Sequence, residues 1–420
     1  MTFFNELKQV HLTFLSLTKR EKLNISVLGS IIFFLLFSYP LVRAVSTSLF
    51  LSSFGASQSP YVWLYSVLVL GVSVTVYNAL QRDFSLTKLF FVTGVVTLLV
   101  FLVAIWGYFY HSEYWAYALY IWKEVYIILL IHSIFAFVNL TTPESVAKVI
   151  YGPFGALGSL GGILGGFAVS NFSRSFTERN ILLVGVFIAF LSTLLIWLVD
   201  TNNDKHLLNF EKEKKKLSPL ASIHNVKCYV FCICLIIMMS QFVINLGNYQ
   251  FNFYLEESFP LKADKTNFLG LTYTYINSLS LGLQFVLMPI LFRLFSPVTL
   301  HFIIPILFAL FFFVSNLWGG MATAFILMKG VDYSIFSGAK ELLYFPLGDL
   351  QKYGAKYLAD MVVYRFSKGL ISLILILVPS SGMVGGLFYA SIAIWLVALL
   401  CLSKLYKKYH GDKYEQPINQ

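Results

Sequence analysis

Twelve runs of about twenty mostly apolar residues follow one another along this chain, at 24–51, 61–80, 88–110, 115–138, 149–170, 180–199, 226–254, 267–292, 297–317, 320–345, 361–379 and 382–403. Twenty residues at 1.5 Å rise match the roughly 30 Å hydrocarbon core of a bilayer. Inside that core a backbone must satisfy its own polar groups, so each run is read as a membrane-spanning helix. Composition agrees. Apolar residues make up 58% of the 420 and charged residues 12%, more apolar surface than a soluble fold of this size can hide.

Residues 1–22 read differently. Phe3, Leu7, Val10, Phe14 and Leu17 recur at three- and four-residue spacing among Lys8, Lys19, Arg20 and Lys22, the pattern of an amphipathic helix on a membrane surface. No small-residue cleavage site follows, so this segment is not expected to be a removable signal. Twenty lysines and arginines lie on the side of the spans shared with the N-terminus, against only Arg174, Arg179, Lys262 and Lys265 on the other. The positive-inside rule then places both termini in the cytoplasm. This asymmetry accounts for the net charge of +10 without invoking nucleic acid.

The longest polar segment, "DTNNDKHLLNFEKEKKKLSPLASIHN" at 200–225, divides the spans six and six. The expected organisation is an amphipathic cytoplasmic segment 1–23, a six-helix half 24–199, a cytoplasmic linker 200–225, a second half 226–404 and a cytoplasmic tail 405–420. That is an all-α integral membrane protein with the layout of major facilitator transporters.

The informative residues are the charges left at membrane depth: Arg43, Lys123, Lys329, Lys340, Arg365 and Lys368, with Glu124, Asp332, Glu341 and Asp360. An ion at a helix centre costs about 2.5–3.5 kcal/mol and usually faces a bundle interior or a wet cavity. A small cationic surplus suits an anionic solute. Lys329 and Asp332, three apart, are expected to pair on one helix. Arg365 and Lys368 are expected to snorkel towards the cytoplasmic face. Lys123 and Glu124, in "WKEVYIILLIH", leave the helix about 100° apart, so each is expected to find its own partner elsewhere.

In "YGPFGALGSLGGILGGF", 151–167, Gly158/Gly162, Gly161/Gly165 and Gly162/Gly166 stand four apart. Small residues at that spacing let helix backbones approach closely. Static packing and a sliding contact during alternating access are equal readings of them. Cys228, Cys232, Cys234 and Cys401 lie in apolar runs and read as small buried hydrophobes. No metal-site spacing, cofactor motif or nucleophile–base set is present, and no enzyme activity is expected.

Several stretches resemble the ATP/ADP translocases of intracellular bacteria and plastids. "DYSIFSGAKELLYFPLGDLQKYGAKYLADMVVYRFSKGL", 332–370, is similar to their tenth-to-eleventh helix region, and is the most specific match. The segment from "WKEVYIILLIH" through the glycines is similar to their fourth and fifth helices, and "YPLVRAVSTSLFLSSFGA", 39–56, to their first. "NYQFNFYLEESFP", 248–260, resembles helix seven of bacterial relatives. The resemblance implies a secondary transporter in an inner membrane, exchanging nucleotides through membrane charges. Arg43, Glu124 and Lys340 fall on the family's helix-one arginine, helix-four glutamate and helix-ten lysine. Lys123, Asn248 and Glu341 complete the expected substrate site. Two positions depart: Ser46 and Thr47 replace the helix-one Lys-Asp, and Asn248 and Asn252 replace helix-seven charges. A serine cannot supply a lysine's point charge. The expected partners are a small anionic solute and the lipid bilayer, with a coupling proton or ion left open, no nucleic acid, and a monomeric state. A proton-coupled carrier of another metabolite, or a lipid-handling or structural protein that has lost exchange, stays open beside nucleotide exchange.

Overall fold

In a computed structural model of the protein, the described residues are 17–81, 83–141, 144–199, 222–318, 320–377 and 381–410. Among them all regular structure is helical. In chain order the helices are α1 (Lys19–Phe54), α2 (Ser59–Leu80), α3 (Leu86–Tyr110), α4 (Trp115–Thr141), α5 (Glu144–Phe172), α6 (Glu178–Leu194), α7 (Lys227–Ser258), α8 (Lys262–Leu294) and α9 (Pro297–Trp318). Then come α10 (321–342), α11 (349–377) and α12 (Ser381–His410). Among the described residues, ten helices are long and apolar enough to cross a membrane. The other two expected spans, 320–345 and 361–379, fold as the charge-bearing α10 and α11.

Helix starts follow local chemistry. Thr18 and Glu21 close a capping box at the head of α1: the Glu21 amide donates to Thr18 Oγ1 at 3.2 Å, and the Thr18 amide to Glu21 Oε2 at 2.8 Å. Two otherwise orphaned donors are satisfied this way. Ser85 and Thr177 cap α3 and α6 by accepting from the amides of Lys88 and Asn180, each worth about 1 kcal/mol.

These boundaries correct the expectation at both ends. Lys19–Leu23 belong to α1 and not to a separate surface helix, because the capping box fixes the helix start five residues before the apolar run. Residues 1–16, most of the linker (200–221) and the end of the tail (411–420) lie outside the described residues. The tail's 405–410 continue α12.

The chain forms two compact units. Unit 1 comprises residues 1–53, 68–212 and 259–277, and unit 2 comprises 54–67, 213–258 and 278–420. Their boundaries cut α2 and α8 in mid-helix, so the units follow contacts rather than chain order. In unit 1, α3 packs on α4 and α6, with Leu70, Tyr77, Leu89, Val125 and Leu129 in one buried cluster. In unit 2, α7 is the central helix, packed on α10, α11 and α12. Phe251 stacks on Phe325 with ring centroids 4.3 Å apart, and Phe312 on Phe388 at 3.9 Å.

Unit 2 carries a feature absent from the described part of unit 1. Three of its helices widen into π turns: α8 at Leu283–Leu287, α10 at Asp332–Phe336 and α11 at Tyr357–Val363. Such turns inside α-helices often occur at functional sites. The cysteines correct another expectation. Cys232 and Cys234 are buried, but Cys228 and Cys401 are exposed. All four line an apolar groove of about 1060 Å³ formed by α7, α11 and α12. In a membrane-spanning helix an exposed thiol meets hydrocarbon rather than water, so the apolar-run signal does not separate the two environments.

Candidate functional site

In unit 1, Arg43 and Lys123 each lie over a tyrosine ring. The Arg43 guanidinium of α1 lies over Tyr273, 4.4 Å from the ring centroid, and 5.6 Å from that of Tyr39 one turn earlier. Tyr39 meets the ring of Tyr126 edge-on at 6.3 Å, and Tyr126 meets Phe101 at 5.4 Å. A guanidinium on a tyrosine face gains about 0.5–2 kcal/mol, more as water is removed.

Lys123 is only 1% exposed. Its Nζ stands 3.5 Å from the Tyr120 ring centroid and 2.7 Å from Glu124 Oε1. The neighbours therefore do pair, against the expectation that they would not. The 100° between their Cβ directions is bridged because lysine's four methylenes wrap around the helix, a reach the angular argument ignored. Cation–π and ion-pair contacts together offset a burial cost of several kcal/mol. Glu124 is less enclosed, at 21% exposure.

The glycines of α5 approach two partners within unit 1. A Cβ at Gly161 would overlap the Phe33 carbonyl oxygen, one at Gly165 the Phe37 carbonyl, and one at Gly158 the Leu36 side chain, all on α1. On the adjacent face, a Cβ at Gly162 would meet Asn277, and one at Gly166 the Gly270 carbonyl and Thr274 Oγ1, all on α8. Backbone meets backbone on both faces, as the four-residue spacing predicts.

In unit 2, Lys329, Lys340 and Lys356 are paired with carboxylates. Lys340 Nζ is 2.7 Å from Asp360 Oδ1, and Tyr344 OH donates to the same oxygen at 3.3 Å. Glu341 pairs with Lys356, with both side chains more than a third exposed. Lys329 and Asp332 make the expected i,i+3 pair at 3.6 Å, with Asp332 only 6% exposed. Asp332 and Asp360 each lie in a π turn. Lys368 Nζ lies 5.9 Å from the ring of the fully buried Trp63, so the expectation of simple snorkelling gives way to a ring contact within the fold. Arg365 is half-buried. Asn248 is half-buried on α7.

The six expected substrate residues thus fall three to a unit: Arg43, Lys123 and Glu124 in unit 1, and Asn248, Lys340 and Glu341 in unit 2. Sequence reasoning missed others. Lys265, placed in a loop by the apolar-run boundaries, lies in the first turn of α8, is 2% exposed and donates to Ser52 Oγ at 3.1 Å. Lys262 donates to Tyr108 OH at 3.1 Å. The signal available was Asp264, an acid in the first turn of a helix that starts five residues before the apolar run. Glu256 accepts from the Ala56 amide at 2.7 Å, next to Gly55, whose φ of +78° needs glycine. Ser46 and Thr47, the departures from the expected Lys-Asp, are both buried.

Residues 312–409 match the family described as TLC ATP/ADP transporter, a range that contains Lys340, Glu341, Lys356 and Asp360. The ADP,ATP carrier protein 3 of Rickettsia prowazekii (strain Madrid E) is 23% identical, over 89% of this chain and 92% of that one. The ADP,ATP carrier protein 1 of Rickettsia conorii (strain ATCC VR-613 / Malish 7) is 24% identical over 64% of each. Among solved structures, a D-xylose-proton symporter superposes with a TM-score of 0.67 at 14% identity, covering 92% of this chain and 99% of that one. The nucleoside transporter NupG superposes with a TM-score of 0.61 at 12% identity, covering 91% and 100%. At those identities the likeness is one of fold. This chain is a multi-pass, all-α membrane protein with a major facilitator-like fold, and its residues 312–409 are similar to the TLC ATP/ADP transporter family.

Proposed function

We propose that this protein is a secondary transporter that works by alternating access and carries an anionic, nucleotide-like solute by exchange or by coupling to a proton or ion. It rocks a six-helix half, 24–199, against a second, 226–404, around a site supplied by Arg43, Lys123, Glu124, Asn248, Lys340 and Glu341. The glycines of α5 provide the smooth contact along which helices slide. The protein resides in a bacterial inner membrane as a monomer with both termini cytoplasmic, the orientation favoured by the distribution of lysine and arginine.

One observation carries this reading. The stretch that matches the TLC ATP/ADP transporter family holds Lys340 in contact with Asp360, a cation engaged at membrane depth by a carboxylate that can exchange for an anionic solute. A solute shifts the equilibrium between inward and outward states only if its contacts differ between them. A lysine able to change partner, from Asp360 to a phosphate, meets that requirement. The ADP,ATP carriers it resembles point to ADP and ATP as the first solutes to try.

A second reading is favoured by the buried Ser46 and Thr47 of α1. With hydroxyls where the translocases have a Lys-Asp pair, a smaller organic anion with fewer charges, moved with a proton, fits this helix better than a triphosphate.

Uptake of labelled ADP and ATP into proteoliposomes, with and without internal nucleotide, tests the first reading. Lys340→Gln should abolish uptake while leaving the purified protein folded. Normal uptake by that variant removes Lys340 from the site, and uptake of organic acids but not nucleotides selects the second reading.

A further inference from the structure

Helix α7 carries a stripe that none of the charged pairs explains. Gln241, Asn245, Asn248 and Asn252 stand at spacings of four, three and four. At 100° per residue the four fall within about 60° of arc, and at 1.5 Å per residue they extend over about 16 Å of helix. Three of them are more than nine-tenths buried: Gln241 at 5%, Asn245 at 6% and Asn252 at 3% exposure. A carboxamide carries two donors and a two-lone-pair acceptor, so a row of four in an apolar helix is costly unless those groups are used.

Two of the four are spent within unit 2. Asn252 Nδ2 donates to Ser59 Oγ at 3.0 Å, and Asn245 Nδ2 donates to the Gln241 carbonyl at 2.7 Å. Gln241 differs. Its Nε2 is buried with no hydrogen-bond partner among the described residues. A buried amide left open costs about 1–3 kcal/mol, a penalty that interhelical packing alone would have removed by substitution with leucine. Asn248, on the same stripe, is half-buried.

We infer that the α7 stripe, through Gln241 and Asn248, reads the uncharged, hydrogen-bonding edge of the solute, and that this edge is the donor–acceptor edge of a nucleobase. The inference rests on the nucleotide reading above and adds what that reading lacks, a determinant of which base is taken. The chemistry fits the residue type. A carboxamide offers a donor and an acceptor in one plane, the pattern that pairs bidentately with the adjacent acceptor and donor of adenine. A lysine or arginine would add affinity for phosphate but could not tell one base from another by that pairing. Asn252 ties α7 to Ser59 and Asn245 is spent on its own helix backbone, which leaves Gln241 and Asn248 as the specificity-determining pair.

The test is competition uptake by the full-length protein in proteoliposomes, with ATP, GTP, CTP and UTP as probes of equal phosphate charge. The wild type should favour one base over the others by about ten- to a hundredfold, the scale of a bidentate base contact. Gln241→Leu should bring the four into near equality while uptake of the mixture continues. Gln241→Glu, which keeps the shape and the acceptor but loses the donor, should change the order of preference. It also serves should the leucine variant fail to fold. Asn252→Leu, whose amide is engaged by Ser59, should lower the melting temperature and leave the preference intact. Equal uptake of all four bases by the wild type, or an unchanged preference in both Gln241 variants, overturns this inference and leaves the nucleotide reading standing. Failure of every nucleotide to enter, with the protein folded, overturns the nucleotide reading itself.

Discussion

Unit 1 and unit 2 hold their membrane-depth cations in differently built helices. In unit 1, Arg43 rests on tyrosine rings and Lys123 on the Tyr120 ring with the Glu124 carboxylate beside it, and the helices of the described region run without a π turn. In unit 2, Lys329 and Lys340 are held by aspartates that sit in π turns. A ring quadrupole cannot gain or lose a proton and offers the cation a shallow, broad well. A carboxylate gives a deeper well, but one that can be emptied by protonation or by a competing anion. The contrast teaches that the ring-held Arg43 is suited to staying in place, and the unit 2 lysines, whose aspartates sit in irregular turns, to changing partner.

The largest expected effect comes from the most buried cation. Lys123→Met should cost about 3–5 kcal/mol, because it breaks the ion pair with Glu124 in a mostly enclosed setting. Thermal unfolding of the purified protein measures it. A drop no larger than that of Lys356→Gln would show that Lys123 is not held as described, since the Lys356–Glu341 pair is well exposed and such pairs contribute about 0–1 kcal/mol.

Next is the glycine face. Gly165→Ala drives a methyl into the Phe37 carbonyl and should destabilise by about 1–3 kcal/mol through overpacking. Gly152→Ala, on the same helix with nothing within 4 Å of its Cβ, should instead stabilise by up to about 1 kcal/mol. Equal effects at the two positions would remove the backbone contact between α5 and α1. Tyr273→Leu should follow at about 0.5–2 kcal/mol, the worth of the ring over which Arg43 lies. Lys356→Gln stands last, and raising ionic strength should erase even that small loss.

Hydropathy made the spans legible because each must be about twenty residues of apolar side chains whatever its neighbours do. The glycine contacts were legible for a similar reason: a four-residue repeat of missing Cβ atoms has few uses in a membrane other than close approach. The Lys123–Glu124 contact was not legible, since it depends on the path of a flexible side chain and on Tyr120 lying beneath it. Lys265 was hidden by the rule that lysines mark loops, although a helix's first turn can bury a lysine against a serine. The π turns were hidden altogether, because a single extra residue leaves composition and periodicity almost unchanged. The amides of α7 were legible in principle. Gln241, Asn245, Asn248 and Asn252 repeat at helical spacing, but attention to charge singled out only Asn248 and Asn252, as places where a charge is replaced.

A π turn holds one residue more than the α-helical turn it replaces, so α10 and α11 each contain a stored residue beside an aspartate. Were that surplus to migrate along α10, the piece beyond it would swivel by about 100°. Lys340 would then be swung away from Asp360 by the winding of its own helix, with no need for the whole bundle to move first.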